Sequence, residues 1–378
     1  MKTIVLEAPG RMMLCERPDP GAPGPGEARV RVMRVGVCGT DLHAYRGRQA
    51  FIRYPVVPGH EFAVEVEALG PEGGSTGSVD EDHAGSVSRV RVGDRCAVAP
   101  YLFDGSCQAC RAGRTNCCTS LTLLGVHVDG GMCDTLIVPA SQLMPANDLP
   151  VDTLALAEML AVGAHATARA RLDDATRVLV IGAGPIGLSV LAFARLEAAS
   201  TLVVDVDPHR LALAEANGLA STLKSPSAEG DGAEELVADI RELLGGDLPE
   251  VVFDATGSRA SMERAPALVA PGGRLVLVGH TPGPLTFENP VLHSKELELI
   301  ASRNARQDDF GAVFAEMRAG RVDPVPWITT RVDPEEFVQS IDGWTRPGAD
   351  VVKAVIEWSQ TPIGGDGATD VGSRLSRL

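Results

Sequence analysis

The sequence predicts an α/β protein in which a β-rich unit precedes a doubly wound parallel sheet. Three observations carry this prediction: apolar and polar residues alternate in short runs through the first 155 positions, strands and helices alternate between about 160 and 303, and a glycine-rich GAGPIG stands at the first junction of that second region. At 378 residues the chain exceeds one small core, which favours two or three domains.

In the first region ARVRVMRVGV, EFAVEVEAL and RVRVGDRCAVAP read as strands between Gly and Pro turns. PEGGSTGSVDEDHAGS, within 70–88, has no apolar period and reads as a solvated insertion, with His83 at the surface. RVLVIG, TLVVDVD, VVFDATG and RLVLVGH follow as strands, with helices through LSVLAFARLEA and from Pro208; such alternation marks a parallel sheet wrapped by helices. The VVKAVIEW strand near the end resembles the first region. The expected division is 1–159, 160–303, a return to the first unit at 304–358, and a mobile tail at 359–378.

A formal net charge of -16 argues against nucleic acid or an anionic membrane surface as partner and favours a small molecule. The opening MKTIVLEAPG has no apolar signal region, so a cytoplasmic setting is expected, where the eight cysteines stay reduced and the clustered ones favour metal over disulfides. Cys15, Cys96 and Cys133 have no partner at metal spacing and read as core thiols.

GAGPIG has G-x-G-x-x-G spacing after an apolar strand and opens an apolar helix, the context that turns a weak motif into a dinucleotide fingerprint. Gly182 permits the tight turn, Gly184 admits a pyrophosphate to the backbone, and Gly187 lets the helix pack on the strand. Pro185 and Ile186 open the helix whose N-terminus faces the phosphates. Asp205 ends the next strand, where its carboxylate accepts from ribose hydroxyls and repels a 2′-phosphate, so NAD is expected over NADP. Arg210 either covers the adenosine end or is a solvated helix residue. Thr256 and Gly279 fall at the carboxyl ends of later strands, where ligands of such sheets sit.

Two clusters have metal-ligand chemistry. Cys38, His60 and Glu61 in GVCGTDLH and VPGHE, with the later Glu158, offer a thiolate, an imidazole and carboxylates, the donors of a catalytic zinc with an open position. Asp104, Cys107, Cys110 and Cys118 follow D-x2-C-x2-C-x7-C, suited to a closed structural site; Cys118 is preferred on spacing to Cys117, whose alternative is a buried thiol. A redox pair is the rival reading of Cys107 and Cys110, against which the turn-rich surroundings speak.

CGTDLH, PGHE, the cysteine loop, GAGPIG with Asp205, and DATG together resemble the zinc-dependent medium-chain alcohol and polyol dehydrogenases over nearly the whole chain up to Trp358. GRTNCC, LGVHVDGG and HSKELELIASRNARQDDF are most similar to the branch that contains the L-galactonate and L-gulonate 5-dehydrogenases. The resemblance implies a catalytic domain built on a GroES-like β-barrel, a Rossmann domain, a cleft between them, and a homodimer or homotetramer. It makes Cys38, His60 and Glu158 zinc ligands, with Glu61 a ligand or near neighbour. It also makes Thr40 and His43 a proton relay through the cofactor ribose. Met159 stands where the family usually has Pro, and Asp104 where most relatives have Cys.

The chemistry expected is oxidation of a secondary alcohol of a polyol, sugar acid or cyclitol to a ketone, the metal lowering the alcohol pKa while hydride passes to NAD. An amino-alcohol or a specialised metabolite is the alternative substrate, and a noncatalytic nucleotide-binding protein is the reading from another class. Asp41 is expected to orient the site with Lys353 as its cationic partner. Arg46, Arg48 and Arg53 crowd the segment between the ligand motifs, and Arg48 is expected to read a substrate carboxylate. Phe51, Tyr54 and Trp327 are the aromatic candidates for the pocket wall.

Overall fold

A computed structural model describes residues 1–49, 51–71, 90–225, 233–346 and 348–358. The expected tail lies outside the described residues, as does the 70–88 insertion with His83, apart from Gly70 and Pro71.

Six parallel strands form one sheet in the order Ser221–Lys224, Ser200–Asp205, Arg177–Ile181, Val251–Asp254, Arg274–Leu277, Glu298–Ala301. The chain starts at the central strand, winds one way, then returns and winds the other. The reversal leaves a crevice at the carboxyl ends of Arg177–Ile181 and Val251–Asp254, the place where such sheets hold ligands. Both faces are covered. Val178, Val180 and Phe253 pack into one core cluster, and Leu179, Ile181 and Val252 into another, which accounts for the continuously apolar RVLVI and VVF runs.

A seven-stranded sheet occupies the other half. Its path runs Ile328–Val332, Lys353–Glu357, Glu27–Val37, Glu61–Leu69, Arg95–Val98, Leu143–Pro145, with Thr135–Pro139 paired to Glu27–Val37. Only the first pair is parallel. The segment before Arg95 differs from its alternating pattern: Gly93 adopts φ +89° and Asp94 accepts the Arg91 N–H at 2.7 Å, so turn chemistry overrides the strand period there.

Helix Ala157–Ala170 joins the halves. It packs on helices Pro185–Glu197 and Gln307–Arg318, and its buried residues share one core cluster with Ala63 and Ala97 of the first sheet and Val180 of the second. Gly163 makes the approach possible, since a side chain there would overlap Ser189, whose hydroxyl donates to Met159 O at 3.0 Å. Below, this element is called the bridging helix.

Candidate active site

Strand Glu27–Val37 delivers Cys38, which caps the short helix Gly39–Tyr45; the Cys38 N–H donates to Asp41 Oδ2 at 2.9 Å, fixing the turn. Glu61 begins the neighbouring strand opposite Gly36, and Lys353 begins the strand on the other side, where Ala354 lies opposite Val37. The two side chains meet across the central strand because Gly36 leaves room: a Cβ there would stand 2.5 Å from Glu61 Oε2. Lys353 Nζ donates to Glu61 Oε2, and to Val37 O at 3.2 Å, and both charged side chains are 1% exposed. The expected Asp41–Lys353 pair is thus replaced by Glu61–Lys353. Asp41 faces His60 instead, with Oδ1 3.8 Å from Nδ1.

Cys38, His60 and Glu61 each offer a ligand atom within 4.8 Å of the others. Glu158, at the start of the bridging helix, stands outside that group; its carboxylate accepts the Tyr101 hydroxyl. Burial pushes Glu158 up to about 7. Burial likewise raises Asp41 and Tyr101. For His60 burial acts downward, but the Cys38 and Asp41 charges outweigh it and raise the imidazole. For Lys353 too burial acts downward, but Glu61, Cys38 and Glu158 together outweigh it and raise the ammonium.

This donor set fits a divalent metal ion. The half-buried Cys38 thiol and the buried carboxyl groups of Asp41, Glu61 and Glu158 gather where, among the described residues, Lys353 is the one buried lysine, and the buried His60 Nδ1 has no hydrogen-bond partner. A cation supplies the missing charge, and thiolate, imidazole and carboxylate are zinc's donors.

Thr40 and His43 lie three residues apart on helix Gly39–Tyr45, Thr40 half-buried and His43 exposed. Burial first, then Arg48, lowers His43. Arg46 is engaged elsewhere: Nε donates to Thr345 Oγ1 at 2.6 Å and the guanidinium lies 3.7 Å from Asp342. Arg48, Arg53 and Arg303 have no carboxylate partner among the described residues. Arg303 and Arg53 both lie close enough to His127 to depress it, after the larger effect of burial. Phe51 is 55% exposed and its ring lies 5.9 Å from that of His280, a contact between the two halves. Tyr54 donates to Ala44 O at 2.7 Å. Trp327 does not line a pocket: it is 1% exposed and belongs to the core cluster beside the bridging helix.

Asp104, Cys107, Cys110 and Cys118 also bring ligand atoms within 4.8 Å of one another. Cys117 stands apart and is exposed rather than buried. Asp104 Oδ1 accepts the N–H groups of Ser106 at 2.7 Å and Cys107 at 2.9 Å, which hold its carboxyl well below the usual range. Hydrogen bonds within the loop, from the Cys110 and Thr119 N–H groups first, lower Cys107 to about 6, and desolvation lifts Cys110 to about 12. Cys107 is thus prepared as thiolate ahead of Cys110.

At the crevice Gly182 adopts φ +99°, and Gly184 caps helix Pro185–Glu197 without a side-chain cap, so the first N–H groups are free for an anion. A Cβ on Gly184 would meet only Arg210 Nη1, at 3.8 Å, so the backbone is open and Arg210 reaches over it. Gly187 packs so closely that a side chain would overlap Gly182 O. Asp205 accepts the Ala183 N–H at 2.6 Å and the Asp207 N–H at 2.8 Å, tying the turn to the next strand end. Thr256 is held by Asp254, its hydroxyl donating at 2.7 Å, and Gly279 lies against Gly257, where a Cβ would be 2.5 Å from its nitrogen. The turn fits a dinucleotide.

Residues 24–148 match the model of the alcohol dehydrogenase GroES-like domain, and residues 185–319 that of the zinc-binding dehydrogenases. The chain is 34% identical to the L-galactonate-5-dehydrogenase of Escherichia coli K12 over 356 residues, covering 94% of this chain and 98% of the relative. The chain belongs to the zinc-dependent medium-chain dehydrogenases. Its architecture is therefore a GroES-like domain with a Rossmann-type one, and it is an oxidoreductase acting on CH–OH donors. A sorbitol dehydrogenase of Bacillus subtilis is 33% identical, covering 84% of this chain and 86% of the relative. Among solved structures, the rspB alcohol dehydrogenase of E. coli CFT073, complexed with NADH, superimposes with a TM-score of 0.83 at 29% identity, covering 95% of this chain and 99% of that one.

Tyr101, His127 and Arg303 were missed in the sequence. VAPY, GVH and SRN offer no ligand spacing, and only the fold brings them beside Glu158 or beside one another.

Proposed function

We propose that this dehydrogenase oxidises a secondary alcohol of a sugar acid or related polyol to a ketone, with NAD as hydride acceptor and zinc held by Cys38, His60 and Glu158. The carrying observation is that the bridging helix, with Glu158 in its first turn, packs directly on helix Pro185–Glu197, whose N-terminus carries the GAGPIG turn, so one packed unit holds both a metal donor and the nucleotide turn. Zinc, when bound, supplies the positive charge that lowers the pKa of the substrate alcohol. Glu61, paired with Lys353, stands beside Cys38 and His60 and backs the centre. Thr40 stands on the inner side and His43 on the outer, and the lowered His43 is a neutral acceptor near pH 7 that passes the proton to solvent. Asp205 selects NAD through the ribose hydroxyls, and Asp104, Cys107, Cys110 and Cys118 hold a second, structural zinc.

A carboxylate-bearing substrate is supported by Arg48, Arg53 and Arg303, guanidinium groups without an acidic partner among the described residues, and by the relatives named for L-galactonate and L-idonate. The edge strand Glu298–Ala301, with Leu299 46% exposed, supports a homo-oligomer formed through that edge. No helix among the described residues is long and apolar enough to cross a membrane, and we propose a cytoplasmic enzyme. A panel of aldonates, polyols, cyclitols and amino-alcohols, read by NADH absorbance, tests the reading. Arg48→Ala is expected to lower kcat/KM for an aldonate by about tenfold more than for the matching polyol, a charge-assisted hydrogen bond being worth about 1.5–3 kcal/mol. Equal losses for the two would remove Arg48 from substrate recognition.

A further inference from the structure

Two contacts join the cysteine loop to the bridging helix, seven residues apart on that helix. Tyr101, three residues before Asp104, donates its hydroxyl to Glu158. Two turns further along, His165 Nε2 faces Asn116 Nδ2 at 3.2 Å, and Asn116 lies between Cys110 and Cys118. Seven residues make about two turns, so both contacts fall on one face. The His165 ring completes a consistent chain: Nδ1 donates to Asp309 Oδ2 at 3.0 Å, and Nε2 accepts from Asn116, whose amide also donates to Arg303 O at 2.8 Å. Tyr101, Asn116, Glu158, His165 and Asp309 are all buried, so water offers these groups no substitute partner.

The chain therefore runs from the cysteine loop onto the bridging helix at two points, one of them the Glu158 carboxylate itself. A glutamate turns about three side-chain bonds, and packing of its helix alone does not set the direction of its oxygens. The Tyr101 hydroxyl does.

We infer that Tyr101 and Asn116 are positioning residues through which the cysteine loop grips the bridging helix and aims Glu158 at the Cys38–His60 centre. The inference rests on the proposed assignment of Cys38, His60 and Glu158 as metal-holding residues. It assigns the cysteine loop a second task, keeping the distant carboxylate ligand in register.

The test is zinc release from the holoenzyme to a chromogenic chelator, with Cys38→Ser protein identifying the phase that belongs to the Cys38 centre. Tyr101→Phe is expected to speed that phase by about tenfold or more, as loss of a group that orients a metal ligand does, while release from the cysteine cluster is unchanged. Asn116→Ser is expected to speed the same phase by a smaller factor. In both variants the visible absorption bands of cobalt placed at the Cys38 centre should shift, a readout that loosened packing elsewhere does not move. Unchanged release and unchanged cobalt bands would overturn the inference, as would acceleration of the cysteine-cluster phase alone. If Tyr101→Phe does not fold, Asn116→Ser carries the same two readouts. Wild-type protein with no phase that Cys38→Ser removes contradicts the metal assignment and the inference together; a wild-type phase untouched in the variants contradicts the grip alone.

Discussion

The Cys38–His60–Glu61 centre is largely buried, with acidic side chains gathered around it and a buried imidazole nitrogen lacking a partner, whereas the Asp104–Cys107–Cys110–Cys118 cluster lies nearer the surface with four donors gathered on one loop. The first is assembled at the ends of two separate strands, with a distant helix bringing Glu158 alongside; the second spans fifteen consecutive residues. A centre drawn from distant elements depends on the whole fold for its shape and leaves a position for substrate. A loop cluster closes on its metal and lends rigidity to whatever it touches.

Substitutions on the two sides should break this contrast in different ways. Lys353→Met strands the Glu61 carboxylate in the core, and a cost of about 3–5 kcal/mol is expected in denaturant unfolding, the penalty for removing one partner of a buried ion pair. Adding Glu61→Gln to Lys353→Met should recover most of that loss; a double variant as unstable as the single would mean that packing, rather than charge, sets the cost. Cys110→Ser opens the rim cluster, and the melting temperature is expected to fall by roughly 5 °C or more through loss of the structural metal, with turnover per folded molecule changed far less. A collapse of turnover at unchanged melting temperature would reverse the roles assigned to the two clusters. Asp104→Cys should have the smallest effect: a softer donor slows metal release from the rim cluster, while losing the Ser106 and Cys107 contacts costs the metal-free form about 1 kcal/mol.

Features governed by local chemistry were legible in the sequence. GAGPIG after an apolar strand, the cysteine spacing and the repeated strand–helix alternation each depend on near neighbours, and each stands where the pattern placed it. Residues set by register were not legible. Lys353 meets Glu61 rather than Asp41 because two strands nearly 300 positions apart flank Glu27–Val37, and because Gly36 clears the space between them. Trp327 has the side chain of a pocket wall and the environment of a core residue. For Tyr101 no local signal exists, because its partner Glu158 lies 57 positions further along the chain.

The central claim, that the buried centre performs the chemistry and the rim cluster holds the structure, is tested most directly by counting zinc in wild-type and Cys38→Ser protein alongside NADH production from an aldonate. The account predicts about two zinc ions per wild-type chain and about one in Cys38→Ser, with NADH production lost and the fold retained. An active wild-type enzyme without zinc, or a Cys38→Ser protein that keeps both ions and its activity, would contradict it.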